Sequence, residues 1–396
     1  MKHPGGLLSE YWDNISSGVF MEKERKVEYI ELIYDLIFVY SFRRNNTLMG
    51  VTEGGFVQAP EFFAYVLCTL AVIQIWNYST YYINLYGENS RRNHIFLFIN
   101  MFLLYFMGVG DKAQLQHYQI QHHTAWGLIL LNLTVQYVIE WFRAKGDPVK
   151  QKAIRRMILV LGLETVLILA TIPLTGLPGI FVPLAVILVT IAATWYARKG
   201  SVVPVDFMHL TERAMLLVVL TFGEMIIALT DYFHDGINLN TIYFALMAFL
   251  VVIGLFLSYG LHYDRIIDRE KKTNGVNYIY IHILIILALN FVTCSLEYMH
   301  EEEVSLMPKM IMLICSLLSY YVFLFMTRVA AKPAFLNDRR FYLTAGAAAG
   351  VFSALMILLR EQMRLNIAVT VIFVFFLYHL LYSKTRGQTA EEDLSL

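Results

Sequence analysis

Apolar residues in this chain come in long runs separated by short polar stretches, and the runs have membrane-crossing length. About 17–25 mostly apolar residues suffice to cross a bilayer as a helix. Such runs lie near 29–48, 61–83, 94–110, 122–142, 155–172, 178–196, 209–230, 240–262, 277–296, 307–328, 340–359 and 365–383. The pattern predicts an all-α fold, a polytopic transmembrane helix bundle of about twelve spans. The third, fifth and twelfth runs are short, so eleven is the alternative count. Between the fifth and sixth runs, Pro173, Gly176, Pro178 and Gly179 supply the chemistry of a tight turn.

Composition points the same way. Of 396 residues 58% are hydrophobic and only 16% are charged, against roughly a quarter charged in soluble domains. Mean hydropathy is +0.55. The net charge is zero, and no nucleic-acid partner is expected. The bilayer is the expected partner, with a small molecule or ion as substrate.

Charge position is more informative than its sum. If the N-terminus is cytoplasmic, 24 of the 31 Lys and Arg residues fall on the cytoplasmic side, in the even-numbered connections and both tails. Six fall opposite: Arg43, Arg44, Lys112, Lys309, Arg360 and Arg364. Arg213 lies inside the seventh run. The acidic run Glu301–Glu303 falls on the Lys/Arg-poor side. By the positive-inside rule this predicts a multi-pass cell-membrane protein with both termini cytoplasmic. It also supports the even count, because one missed span would scramble the split.

The cysteines Cys68, Cys294 and Cys315 all lie in apolar runs without metal-ligand spacing and read as packing residues. The first apolar run starts too late, and keeps too many acids, for a cleavable signal peptide. The leader LLSEYWDNISSGVF suits either a surface-lying segment or a loose tail. GQTAEEDLSL reads as a short solvated tail.

A shift of 181 residues superimposes Glu31 on Glu212, Phe63 on Phe244, Ala64 on Ala245, Tyr78 on Tyr259, Tyr82 on Tyr263 and Asn93 on Asn274. Six spans per half is even, so both halves enter the membrane in the same sense. The expected organisation is two parallel six-helix repeats about an axis along the membrane normal. The segments are 1–28 (N-terminal, cytoplasmic or interfacial), 29–198 (first repeat), 199–384 (second repeat) and 385–396 (tail). Gly346 and Gly350 in AGAAAG have the small-x-x-x-small spacing of a close helix contact, expected as internal packing.

Ionisable residues inside apolar runs are costly and usually mark a pathway, a relay or a ligand site. Glu28, Glu31 and Asp35 follow i, i+3, i+7 and share one helix face. Glu31 and Asp35 are candidates for binding or relaying a proton or another cation, together with Glu164 near the midplane, Glu212 and Glu224. Gln74, Tyr78, Tyr81 and Tyr82 share a face of the second span. Tyr259, His262 and Tyr263 share one on the eighth. With Arg213 and His282 they map to the cytoplasmic half, where they are expected to line a cavity. The competing reading is an interfacial aromatic belt with structural ion pairs. The shift also sets Arg43 opposite Glu224, an expected pair between the halves, with Glu297 near that layer. His117, His122 and His123 in the loop HYQIQHH match no metal motif. The sequence holds no GxxxxGK[ST], HExxH or GxSxG, and GVG at 108–110 lacks strand–helix context. No cofactor or metal is expected.

ELIYDLIFVYSF, WNYSTYYINLYG and HLTERAMLLVVLTFGEMIIAL resemble the motifs of the bacterial low temperature requirement A family. That family opens with E-L-F-F-D-L-V-F-V, continues with W-x-Y-x3-Y and carries an H-x-x-E-R…G-E-S helix. Glu31, Asp35, Tyr78, Tyr82, His209, Glu212, Arg213, Gly223 and Glu224 fall on matching positions. Met225 replaces the usual Ser, and Arg43–Arg44 is an unusual end for the first helix. The resemblance implies a polytopic bacterial membrane protein and names no substrate.

The leading functional expectation is a secondary transporter whose two halves alternate access to a central polar site. A membrane-embedded enzyme or lipid-handling protein acting near the cytoplasmic leaflet is the second. A non-catalytic sensor or partner in a membrane assembly is the third.

Overall fold

The computed structural model describes residues 27–50, 52–109, 115–199, 203–234, 236–335 and 339–393. The N-terminal leader, with the basic residues Lys2 to Lys26, and Lys112 lie outside the described residues. Among the described residues the chain forms twelve α-helices: α1 (Tyr29–Asn46), α2 (Ala59–Tyr86), α3 (Arg91–Gly108), α4 (Leu115–Arg143), α5 (Pro148–Ala170) and α6 (Pro178–Lys199). There follow α7 (Phe207–Ala228), α8 (Leu239–Leu261), α9 (Val276–His300), α10 (Leu306–Met326), α11 (Arg339–Leu358) and α12 (Met363–Asp393). Each apolar run becomes one helix, because a helix satisfies its own backbone in hydrocarbon. Nine among the described residues are long and apolar enough to cross a membrane; α1, α3 and α5 fall short. The chain is therefore an all-α, multi-pass membrane bundle.

Local signals place the helix starts. Ser90 accepts from the Asn93 amide, Asp147 from Val149 and Lys150 ahead of Pro148, and Asn238 forms a capping box with Thr241. Three elements depart from the sequence expectations. HYQIQHH is helical, inside α4, rather than a loop. Residues 385–393 continue α12 instead of leaving it as a separate tail. The α1–α2 connection carries a small hairpin, Thr52–Glu53 against Phe56–Val57. Its turn is Gly54–Gly55, both at positive φ (65° and 88°), as such two-residue turns need. Ser305 donates its amide to Gly55 O at 2.6 Å, tying the hairpin to the entry of α10.

The helices pack in the same order in the two halves. The first helix of each half touches the second and third, and the third touches the fourth. The fourth touches the fifth, the fifth touches the sixth, and the second touches the sixth. Gly254 lets α8 approach α12, since a Cβ there would sit 2.5 Å from Val374 Cγ1. The seam between the halves breaks the likeness. α1 packs on α7, and α9 packs on α1, α2 and α6. α3, which holds the place of α9 in the first half, turns Ile95, Phe98 and Phe102 outward. α2 and α9 are thus the most enclosed spans, while α6 and α11 are the least. The exposed apolar side chains, including Leu159, Val166, Val189 and Ile372, suit contact with lipid tails. Two packing expectations change. Gly346 and Gly350 face open space instead of a neighbouring helix. Cys315 is exposed, while Cys68 and Cys294 are buried.

Candidate functional site

The residues singled out by sequence do not form one cavity. They fall into separate clusters, and two of these are buried and charged.

The first lies on the seam, where α1 meets α7 and α2. Asn84, near the end of α2, donates to Asp206 O at 2.8 Å and accepts from the Asp206 amide at 3.1 Å. Asp206 in turn caps α7 through the His209 amide. This clamp sets the register of α7, so that His209 and Arg213, one turn apart, both face α1. Arg213 is fully buried. Its Nη1 donates to Glu31 Oε2 at 2.8 Å and its Nη2 to Asp35 Oδ1 at 2.5 Å. Trp76 of α2 donates its indole N–H to the same Asp35 oxygen at 3.0 Å. Asn84 Nδ2 lies 3.1 Å from His209 Nδ1. With the amide donating there, the imidazole proton sits on Nε2, which faces Glu31 Oε2 at 3.3 Å. Among the described residues Asp35 Oδ2 and Arg213 Nε have no hydrogen-bond partner. Glu31 and Asp35 thus close on one arginine, while Glu28, ahead of α1, accepts from Asn89 at 3.3 Å. Glu212, adjacent in sequence, is half-buried and stands apart, because consecutive helical residues point about 100° apart.

A small crevice of about 30 Å³ opens beside this cluster at the Lys/Arg-rich end, between Glu28, Asn89 and His94, with Glu31 and Tyr82 in its wall. Tyr82 itself reaches Glu140 Oε1 at 3.3 Å. Glu140 also binds Arg92 at 2.8 Å and Arg143 at 3.2 Å, and Arg143 binds Glu88 at 2.7 Å. Glu88 lies in the α2–α3 connection, and its hydrogen bond from Arg143 holds its pKa below the usual carboxylate value.

The second buried cluster lies inside the first half, where α2 meets α5 and α6. Glu164 is fully buried and accepts from the Tyr78 hydroxyl at 2.5 Å. Tyr78 also lies 3.2 Å from the Thr194 hydroxyl. Thr190 also lies beside the carboxylate, although among the described residues Glu164 Oε1 makes no hydrogen bond of good geometry. One turn past Thr194, Arg198 turns inward. Its Nη1 donates to Asn77 Oδ1 at 2.7 Å, and its guanidinium carbon lies 3.7 Å from the Tyr81 ring centroid. Asn77 in turn donates to Gln74 Oε1 at 3.0 Å. Arg198, Asn77 and Trp76 were not singled out by sequence. Arg198 read as one more positive-inside residue, and nothing in its one-dimensional context distinguishes it from the exposed Lys199.

The remaining candidates are packed within the second half. His282 Nδ1 donates to Tyr278 O at 2.9 Å, so its Nε2 accepts from the Tyr259 hydroxyl at 3.2 Å. Tyr263 stacks on Tyr259 and lies under Arg269. His262 begins a π-helical turn, His262–Ile266, which swings it away to Thr327 at 2.7 Å. The shared face expected for Tyr259, His262 and Tyr263 is therefore split. At the opposite end of the bundle, Arg43 lies 3.4 Å from Glu224, 2.8 Å from Asp231 and 3.5 Å from Glu297. His122 and His123 are buried side by side in α4, with ring centroids 5.8 Å apart, and His117 is exposed. Among the described residues no three His, Cys, Asp or Glu side chains group as metal ligands would.

A family model for the bacterial low temperature requirement A protein (LtrA) matches residues 26–377, nearly the whole chain. No curated protein and no solved structure gives a significant match.

Proposed function

The chain belongs to the bacterial low temperature requirement A family, and we propose that it is a proton-coupled secondary transporter. In this reading it has twelve spans in two parallel six-helix halves, with both termini cytoplasmic. The repeated packing order supports the two halves. The three helices that fall short on composition are also intelligible as spans. α1 loses apolar character to acids that Arg213 neutralises. α3 and α5 lose it to basic residues at their Lys/Arg-rich ends, such as Arg91, Arg92, Lys150 and Lys152, which suit an anionic cytoplasmic leaflet.

The observation that carries the proposal is Arg213 of α7 held between Glu31 and Asp35 of α1, buried on the seam beside a small crevice. A buried ion pair of this kind adds little net stability over apolar packing, so its presence in a membrane seam suits a working part. Two carboxylates share one arginine, and Asp35 Oδ2 offers an unoccupied position for a proton. A proton there removes one of the two counter-charges that join α1 to α7. The seam between the halves then loosens, and rocking of one half against the other becomes less costly. Restoring the carboxylate draws Arg213 back. The Glu31 crevice gives the proton a path from the cytoplasmic side.

Reconstitution tests this. Liposomes loaded with a pH-sensitive dye and carrying the full chain are challenged with sodium, potassium and chloride gradients in turn, with voltage clamped. At least one gradient should move protons, and Asp35→Asn should remove that movement while leaving the protein inserted. Proton movement absent under all three gradients, or unaltered in Asp35→Asn, would falsify the transport reading.

A further inference from the structure

The seam cluster balances its arginine with acids; the cluster inside the first half does not. Among the described residues no Asp or Glu lies within 4.0 Å of Arg198, although the residue is only 7% exposed. Burying a cation without a counter-charge is expensive. The Tyr81 ring compensates one face of the guanidinium, Asn77 satisfies Nη1, and the Tyr137 hydroxyl of α4 stands beside it. All three are neutral. Among the described residues neither Nη2 nor Gln74 Nε2, on the same face of α2, makes a hydrogen bond of good geometry, although the Tyr137 hydroxyl interacts with Arg198 and those of Tyr78 and Tyr280 with Gln74. Gln74 is 1% exposed, and its orientation is set by Asn77, which donates to its oxygen and so leaves its N–H donors to those hydroxyls or to a ligand. The next residue shows that the inward turn has an alternative, since Lys199 is exposed and lies over the Trp195 ring at 4.4 Å. A basic residue at the end of a span ordinarily reaches for the interface in that way.

We infer that the corner formed by Arg198, Asn77 and Gln74 binds a small monovalent anion. Two buried donors held only by rotatable hydroxyls, beside an unbalanced cation, supply the recognition, and burial of the corner favours a halide or a single carboxylate group over a bulky polyanion. Tyr81 closes the corner toward the cytoplasmic end, donating to Asn274 O at 3.2 Å. Gly275 permits that closure. At φ +66° it turns the chain into α9, where a Cβ would sit 2.4 Å from Leu210 Cδ2. Glu164 lies deeper, joined to the corner through Tyr78, and its carboxylate opposes an anion moving inward. The site deepens the transport reading by naming the chemistry of what is carried: a free halide, or the carboxylate head of a larger solute.

The test is thermal unfolding of the full chain in detergent, at fixed ionic strength, with sodium chloride or sodium formate replacing the sodium salt of the bulky sulfonate morpholinoethanesulfonate. An anion bound only by the native state raises the midpoint in proportion to its saturation, by about 2 °C or more well above the dissociation constant. A rise with chloride identifies a halide site. A rise with formate alone identifies a carboxylate site. Arg198→Gln should abolish either rise. Gln74→Leu, which keeps the arginine, should weaken the apparent affinity about tenfold, as loss of a hydrogen bond to a charged group does. It decides the matter should Arg198→Gln not fold. No rise over the sulfonate in the native chain, or an unchanged rise in Arg198→Gln or in Gln74→Leu, overturns the inference. Anion-dependent stabilisation without proton movement in liposomes would remove the transport reading and leave this site standing; proton movement without such stabilisation would do the reverse.

Discussion

Arg213 and Arg198 are both buried arginines on the seventh and sixth helices, yet they are built into opposite electrostatic settings. Arg213 meets two carboxylates from a single helix face, one of them also held by Trp76. Arg198 meets a ring, an amide oxygen and a hydroxyl, while the buried acid of its cluster, Glu164, is engaged by Tyr78 instead. The first arrangement is neutralised by the protein itself, as a joint between two halves needs to be. The second keeps its positive charge available, as a binding corner needs to. A buried arginine in a membrane protein therefore has no single meaning; its counter-charges decide whether it fastens helices or waits for a ligand.

The sharpest way to break this contrast is to remove each cation in turn. Arg213→Gln leaves Glu31 and Asp35 buried together without their cation and should destabilise by about 3–5 kcal/mol, the range for breaking a buried pair. Adding Asp35→Asn should recover part of the loss. Arg198→Gln strands no acid and should cost well under half as much. Thermal or denaturant unfolding in detergent measures both, and equal losses would erase the distinction. Next in size is Tyr78→Phe. It removes the hydroxyl that donates to Glu164 and leaves a buried carboxylate without that hydrogen bond, a loss of about 1–3 kcal/mol. Glu164→Gln keeps an acceptor for Tyr78 and should lose less; the opposite ranking would mean that the carboxylate charge, and not the hydrogen bond, holds this site together.

The smallest effect concerns Glu88, at the mouth of the bundle. Arg143 lowers its pKa in the folded chain. The stability it contributes is present above the carboxylate's unfolded value and is lost as pH falls through the lower folded value. The pair is half-exposed, so solvent screening limits the effect to less than about 1 kcal/mol. Comparing unfolding of the native chain with Glu88→Gln between pH 7 and pH 3 should show the difference vanish at the acid end. A difference that persists at pH 3 would mean that Glu88 acts by packing.

Much of this could be read along the chain. The apolar runs foretold where each helix lies, because in hydrocarbon a backbone must bond within its own segment. The shared face of Glu31 and Asp35 was also legible, since helical spacing is local. Other features were not. HYQIQHH looked like a loop because its polar residues mask the helix that Tyr118, His122 and Trp126 bury. Tyr259 and His262 share a face on an ideal helix, and the π turn at His262 separates them. The glycines of AGAAAG promised a contact that no neighbouring helix supplies.

What the sequence by itself determined is the inventory: a membrane chain, its helices, and which acids, bases and tyrosines sit where along each helix. Partnership was settled only in three dimensions. Arg213 takes both α1 acids because the Asn84–Asp206 clamp sets the register of α7, and Arg198 turns inward because Tyr81 and Asn77 of α2 receive it. Position along one helix is a local quantity. Electrostatic pairing depends on how several helices rotate against each other, and that rotation is fixed by packing between residues far apart in the chain.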